Sequence, residues 1–308
     1  MPAHGIGGAA KRWRLVITGC GMLALAACSP ALHAPPAAQG ASPAVSSPVA
    51  SASPVASASP VASASAAGAA MAPSRNWALT WSDEFNTTAD LRNWNYVTDG
   101  YGGYLKQLQW YDSTNATINA QGDLVLTASK DGGVHQCWYG PCQYKSVRMN
   151  TLGFFAQKYG RFEARIKFPP GHGLWPAFWL EGDNIETAGW PAAGEIDIME
   201  PDGMHPTMVE SYAHGPNHFL ARNKQPISAS ITGGFHVYGA DWSPKGITWW
   251  LDGHPYGYAR HYRGWPFDHP FFIILDLAVG GGYPGPPDSA TPFPAHMLVD
   301  WVRVYRAR

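Results

Sequence analysis

The sequence predicts an all-β domain, an antiparallel sandwich or jelly roll, and three observations carry that prediction. Short apolar segments of alternating character recur, Gly, Pro, Asn and Asp punctuate them, and no convincing amphipathic helix interrupts. In chain order, DLVLTAS (123–129), GRFEARIKF (160–168), EIDIME (195–200), GITWWLDG (246–253), FFIILDLAV (271–279) and MLVDWVRVY (297–305) read as strands. DNIETAGWPAAG, between the second and third of these, is too short and too broken by Gly and Pro to be a helix. Many short strands without intervening helices imply antiparallel pairing. In GRFEARIKF, period two puts Arg161, Glu163 and Arg165 on one face and Phe162, Ala164 and Ile166 on the other. The charged face is expected in a wet cleft and the apolar face against a second sheet; an exposed outer face would read the same.

The chain before this domain reads differently. Lys11, Arg12 and Arg14 precede LVITGCGMLALAA (15–27), an apolar run of signal-peptide length that is short for a membrane span. It ends in Leu-Ala-Ala-Cys, the form of a bacterial lipobox, so Cys28 is expected to carry a lipid as the first mature residue; cleavage leaving a free Cys28 is the alternative. Residues 29–72 are built mainly from Ser, Ala, Pro and Val, with SPVASA repeating around Pro48, Pro54 and Pro60. Such a segment cannot bury enough surface to fold, and its prolines favour an extended tether. The expected organisation is therefore a leader (1–27), a lipidated tether (28–73) and a folded domain (74–308), anchored at the envelope or secreted.

The folded domain holds nearly all of the 14 Trp, 14 Tyr and 12 Phe. A net charge of −1 without Lys/Arg runs argues against nucleic acid as a partner. Cys137 and Cys142, in CWYGPC, are expected to close a small disulfide loop outside the cytoplasm.

GEIDIMEPDG (194–203) places Glu195, Asp197 and Glu200 in an apolar strand, where like charges repel and burial is costly. On a regular strand Glu195 and Asp197 share a face and Glu200 opposes them; a β-bulge at Ile198-Met199 restores all three to one face. Four strand steps separate the glutamate backbones by roughly 13 Å, which two inward-leaning side chains can close. Glycoside cleavage needs one ionised carboxylate to attack carbon and one protonated carboxyl to release the leaving oxygen. An aspartate between them can orient the first and raise the pKa of the second. A cation site or a solvated edge strand would show the same three acids. Nearby, Trp175 and Trp179 in GHGLWPAFWL, and Trp110 in LQWYD, offer apolar faces for pyranose rings. Glu163, Arg165, His214 and Asn217 offer polar partners for hydroxyls.

Taken in order, WSDEF (81–85), YGRFEARIKFPPGHGLWPAFWL (159–180), GEIDIME (194–200), HGP (214–216), FHVYGADWSP (235–244), DLAVGGGYPGPPD (276–288) and FPAHMLVDWVRVY (293–305) resemble glycoside hydrolase family 16, laminarinase-like branch. The resemblance implies a concanavalin-like β-jelly roll with a concave sugar cleft and retaining hydrolysis of internal β-linkages. It implies Glu195 as nucleophile, Asp197 as assisting acid and Glu200 as acid/base, with Trp175, Trp179, Glu163, Arg165 and His214 lining the cleft. No cofactor is implied for the chemistry. A structural calcium is implied on the outer face, through backbone oxygens near Glu84 and Gly122 and the carboxylate of Asp300. The expected activity is that of a monomeric endo-β-1,3-glucanase acting on a β-glucan, with a galactan- or agar-type hydrolase or a transglycosylase as alternatives.

Three segments depart from the family pattern. Tyr283 in Gly-Gly-Gly-Tyr-Pro-Gly stands where laminarinases commonly carry Trp, GYLKQLQWY (103–111) lacks the usual Asn and Glu, and CWYGPC is additional. A lectin-like binding module is disfavoured by the intact acid triad. A zinc hydrolase or serine hydrolase is disfavoured by the absence of His-Glu-x-x-His and Gly-x-Ser-x-Gly.

Overall fold

The computed structural model describes residues 77–201, 203–216 and 218–308. The leader, the tether with Cys28, and Asn217 lie outside the described residues.

Two large sheets, antiparallel apart from one short parallel pairing, face each other, and Gln136–Cys137 pairs with Gly140–Pro141 in a separate two-stranded sheet. The first runs His254–Arg260, Gly246–Leu251, His236–Ser243, Gly160–Lys167, Ala295–Ala307, Leu124–Lys130, Tyr144–Ser146, Gln109–Tyr111, with Trp77–Asp83 also on Ala295–Ala307 and Ala116–Ile118 on Leu124–Lys130. The second runs His218–Pro226, Met208–Gly215, Glu195–Met199, Leu174–Gly182, Phe271–Val279, Arg148–Asn150, Asn95–Tyr96. This is the sandwich that the alternating segments predict. DNIETAGWPAAG contributes only the single helical turn Ile185–Ala188.

The core fills the space between the sheets by strand alternation. Phe162, Ala164, Ile166, Val302 and Val304 enter it from the first sheet, and Leu174, Phe178, Leu180, Ile196, Ile198, Ile273 and Leu275 from the second; all are fully buried. Each such side chain contributes roughly 1.5–3 kcal/mol when removed from water. Phe271–Val279 is buried along both faces. One face is core and the other packs under the side chains around the acids, which explains an apolar reading broken only by Asp276.

The charged face of Gly160–Lys167 lies on the outside of the first sheet, away from the cleft, which corrects the expectation for Glu163 and Arg165. Arg161 forks onto Asp241 at 2.7 and 2.8 Å, Arg165 meets Asp300 at 2.6 Å, and Arg303 forks onto Glu84 at 2.9 and 2.8 Å. Period two separates the faces of a strand but does not say which sheet is the concave one. The segment belongs to the sheet opposite the acids, so its outward face can only pair with its neighbours.

Candidate active site

The acid strand Glu195–Met199 is central in the second sheet, between Leu174–Gly182 and Met208–Gly215. It enters from Gly194 at φ 80°, a left-handed conformation that glycine adopts without strain. The register carries Glu181 opposite Glu195 and Trp179 opposite Asp197, then slips so that Phe178 opposes Met199. That slip is a bulge at Ile198, and it buries both Ile198 and Met199 in the core. Glu200 thereby returns to the face of Glu195 and Asp197, where its Oε1 accepts a 3.1 Å hydrogen bond from the Trp175 indole. Its backbone N–H donates to the Glu210 carbonyl at 3.2 Å.

His214 completes the group. Glu195 and His214 are register partners on adjacent strands, and the imidazole Nε2 lies 3.1 Å from Asp197 Oδ2 and 3.6 Å from Glu195 Oε1. Burial would discourage its charge, but the hydrogen bond and charge of Asp197, then the charge of Glu195, push its pKa up to about 9. Ligand atoms of Glu195, Asp197 and His214 fall within 4.8 Å of one another, a spacing that could hold a metal ion. A protonated imidazole already supplies the positive charge those two carboxylates need.

The two glutamates are unequal. Glu195 Oε2 accepts a 2.8 Å hydrogen bond from the Trp190 indole and also faces the imidazolium. Burial and the charge of Asp197 drive its pKa well up, and His214 and Trp190 oppose them. For Glu200, burial comes first, then the charges of Asp197 and Glu195, with the Trp175 N–H opposing. Two donors, one of them cationic, favour the ionised form at Glu195; two neighbouring anions keep the proton on Glu200. The arrangement can therefore present a nucleophile and an acid side by side.

Hydrogen-bonded networks flank the acids. On one side Asp276 accepts from Trp179 Nε1 at 2.8 Å, Tyr111 OH at 3.0 Å and Arg148 Nη2 at 3.2 Å. On the other, Glu210 accepts from Tyr283 OH at 2.9 Å and from Tyr212, and pairs with Lys224 at 2.5 Å. The Tyr283 hydroxyl also lies 3.0 Å from the Glu200 carbonyl oxygen.

Of the residues expected at the site, the structure brings Trp175, Trp179 and His214 to the acids. Trp110 does not join them: its ring stacks on His135 with centroids 4.8 Å apart, while its strand neighbour Tyr111 reaches Asp276. The reason is again period two, since Tyr111 and Gln109 point inward and Trp110 opposite. The Asp300 carboxylate is held by Arg165 and that of Glu84 by Arg303. Gly122 lies beside Asn86, so the two loops do meet. The one carboxylate intended for calcium is neutralised, and hard cations depend on such charge. Trp190, Tyr283, Asp276 and Glu210 went unread as site residues. Asp276 and Glu210 carry the same signal as the triad, an acid inside a strand otherwise free of charge.

Comparison with known proteins gives a consistent result. The chain is 36% identical over 252 residues to a beta-glucanase of Rhodothermus marinus, covering 75% of this chain and 86% of that protein. The laminarinase catalytic domain of Thermotoga maritima superposes with a TM-score of 0.70 at 37% identity, over 76% of this chain and 99% of that one. An endo-beta-1,3-glucanase of Pyrococcus furiosus gives 0.69 at 38% identity, over 75% and 95%. Residues 105–303 match the profile of glycosyl hydrolases family 16 and contain the bulged acid strand with its partners. The chain belongs to that family.

Proposed function

We propose that this protein is a retaining endo-β-1,3-glucanase, on the observation that a bulge gathers three acids on one face with the imidazolium beside Glu195 and Asp197. Glu195 attacks the anomeric carbon as Glu200 gives its proton to the glycosidic oxygen; the C–O bond to the leaving sugar breaks and a glycosyl ester of Glu195 forms. Glu200, now a carboxylate, takes a proton from water, whose oxygen attacks the same carbon and releases Glu195. Asp197, paired with His214, keeps negative charge beside Glu200 and so supports the proton on it. Trp175 and Trp179 supply apolar faces along the path of the sugar chain. The β-1,3-glucan assignment draws on the glucanases and laminarinases that the chain resembles.

Glu195→Ala and Glu200→Ala are each expected to abolish hydrolysis while leaving the circular dichroism spectrum intact. Azide added to Glu200→Ala should give a β-glycosyl azide, the retained product. Release of sugars from laminarin ahead of lichenan, agarose, carrageenan and β-1,3-galactan checks the substrate; preference for a galactan would move the assignment within the family. The proposal includes export and anchoring through Cys28, read by whether Cys28→Ser leaves the membrane fraction. Calcium at the Glu84, Gly122 and Asp300 positions requires Arg165 to release Asp300; a rise in Tm on adding calcium, absent in Asp300→Asn, is its test.

A further inference from the structure

The two departures GYLKQ (103–107) and CWYGPC (137–142) take no part in the chemistry above, yet they pack against each other. The Cys137–Cys142 disulfide closes the second as a loop. From it the Trp138 backbone N–H donates to Gly100 O at 3.0 Å, the Trp138 indole to Gln107 O at 2.8 Å, and Tyr139 OH to Leu108 O at 2.6 Å. A Cβ at Gly102 would lie 2.5 Å from both Gln107 O and Trp138 Cδ1, so the first loop closes tightly over the second. On its other flank Gly282 N–H donates to Leu105 O at 2.7 Å, and Gln107 N–H to Gly102 O at 2.7 Å.

This fastened loop presents Tyr104, which is 84% exposed. An aromatic ring held out on a fixed backbone buries little of its own surface, and its stacking face stays available. Its ring centroid lies 6.2 Å from that of Trp190, at an interplanar angle of 31°. Trp190 is 42% exposed and donates to Glu195. The two rings therefore continue the cleft from the nucleophile outward. Lys106 sits 5.0 Å over the Trp138 ring, which leaves Trp138 a buttress.

We infer that Tyr104 and Trp190 form an additional sugar-binding platform at the Glu195 end of the cleft, buttressed by the Cys137–Cys142 loop. Its ligand is the pyranose chain of a β-glucan beyond the sugars at the cleavage point. A pyranose with equatorial substituents offers an apolar C–H face that a ring can cover, and a preorganised loop avoids the ordering cost of binding. The inference rests on the glucanase reading, whose failure shows separately below.

The test is calorimetric titration of a β-1,3-linked glucohexaose and glucotriose into a Glu200→Gln chain, with and without Tyr104→Ala. The ratio of hexaose to triose affinity is expected to fall roughly three- to tenfold on losing Tyr104, the size of one aromatic contact. Cys137→Ser with Cys142→Ser should lower the same ratio, and adding Tyr104→Ala to that pair should lower it by less than it does alone. An unchanged ratio in Tyr104→Ala, or a hexaose that binds neither protein, overturns the platform. If the unsubstituted protein binds the hexaose through Tyr104 but does not cleave it, the platform stands and the glucanase reading falls.

Discussion

Trp175 and Trp190 each donate an indole N–H to one of the two proposed catalytic glutamates, yet in the proposed mechanism the two contacts act on different steps. At Glu195 the donor sits beside the His214 imidazolium, and the two together oppose burial and the charge of Asp197. At Glu200 the Trp175 indole opposes burial and two neighbouring negative charges. Its N–H stabilises the carboxylate, so removing it leaves the proton bound more tightly. Trp175→Phe is therefore expected to move the basic limb of kcat/KM upward by about one pH unit, since a hydrogen bond to a charged group contributes roughly 1.5–3 kcal/mol and ~1.4 kcal/mol is one unit. A downward or absent shift in the pH profile would show that another group governs that limb. The place of Trp175 beside the acids was legible from its neighbours in GHGLWPAFWL. Its hydrogen bond was not, because partners across a bulge depend on which residue the bulge displaces.

Strands divide according to how their faces are covered. The acid strand announced its bulge because Met199 breaks the period-two count and nothing else returns Glu200 to the face of Glu195. Met208–Gly215 gave no such signal: it sends Val209, Ser211 and Ala213 inward, a series whose small and polar members look nothing like a core. Tertiary packing sets that face, and Ser211 is buried beside Asn223, with which it shares a 3.1 Å hydrogen bond. Gly160–Lys167 was read correctly for alternation and wrongly for location. Its Arg165–Asp300 pair, with side chains 21% and 35% exposed, belongs to a solvated outer ladder. Exposed ion pairs contribute about 0–1 kcal/mol. Arg165→Ala should thus cost no more than about 1 kcal/mol in denaturant unfolding and leave kcat/KM on laminarin within about twofold of the unsubstituted enzyme. A tenfold loss of kcat/KM would return Arg165 to the cleft.

For the whole molecule, the sandwich stabilises itself through a core that is apolar on both inner faces and then buries acids on the outer face of its second sheet. Asp197, Glu210 and Asp276 are each no more than 2% exposed. Most of their partners are distant in sequence: Asp276 meets Tyr111 and Arg148, and Glu210 meets Tyr283, while Lys224 reaches Glu210 from the adjoining strand. Such long-range pairings are invisible to local pattern, which is why the fold class and the triad could be read while the networks around them could not. Glu200 is also costly in its charged form, because burial and then the charges of Asp197 and Glu195 raise its pKa from the ordinary 4.5, against an indole donor. A carboxyl whose pKa is higher in the fold than in the unfolded chain stabilises the fold fully below pH 4.5. That contribution is lost as pH rises through the folded value. Glutamine keeps the shape without the charge. Glu200→Gln should therefore be inactive but more stable at pH 7, with Tm raised by about 2–4 °C for each kcal/mol recovered in a domain of this size. At pH 4 the acid is protonated in both states, and the gain should vanish. Scanning calorimetry at the two pH values tests the sign directly: a variant less stable at pH 7 would mean that Glu200 is held ionised and could not serve as the acid, and equal stabilisation at pH 4 would mean that the gain does not come from its charge.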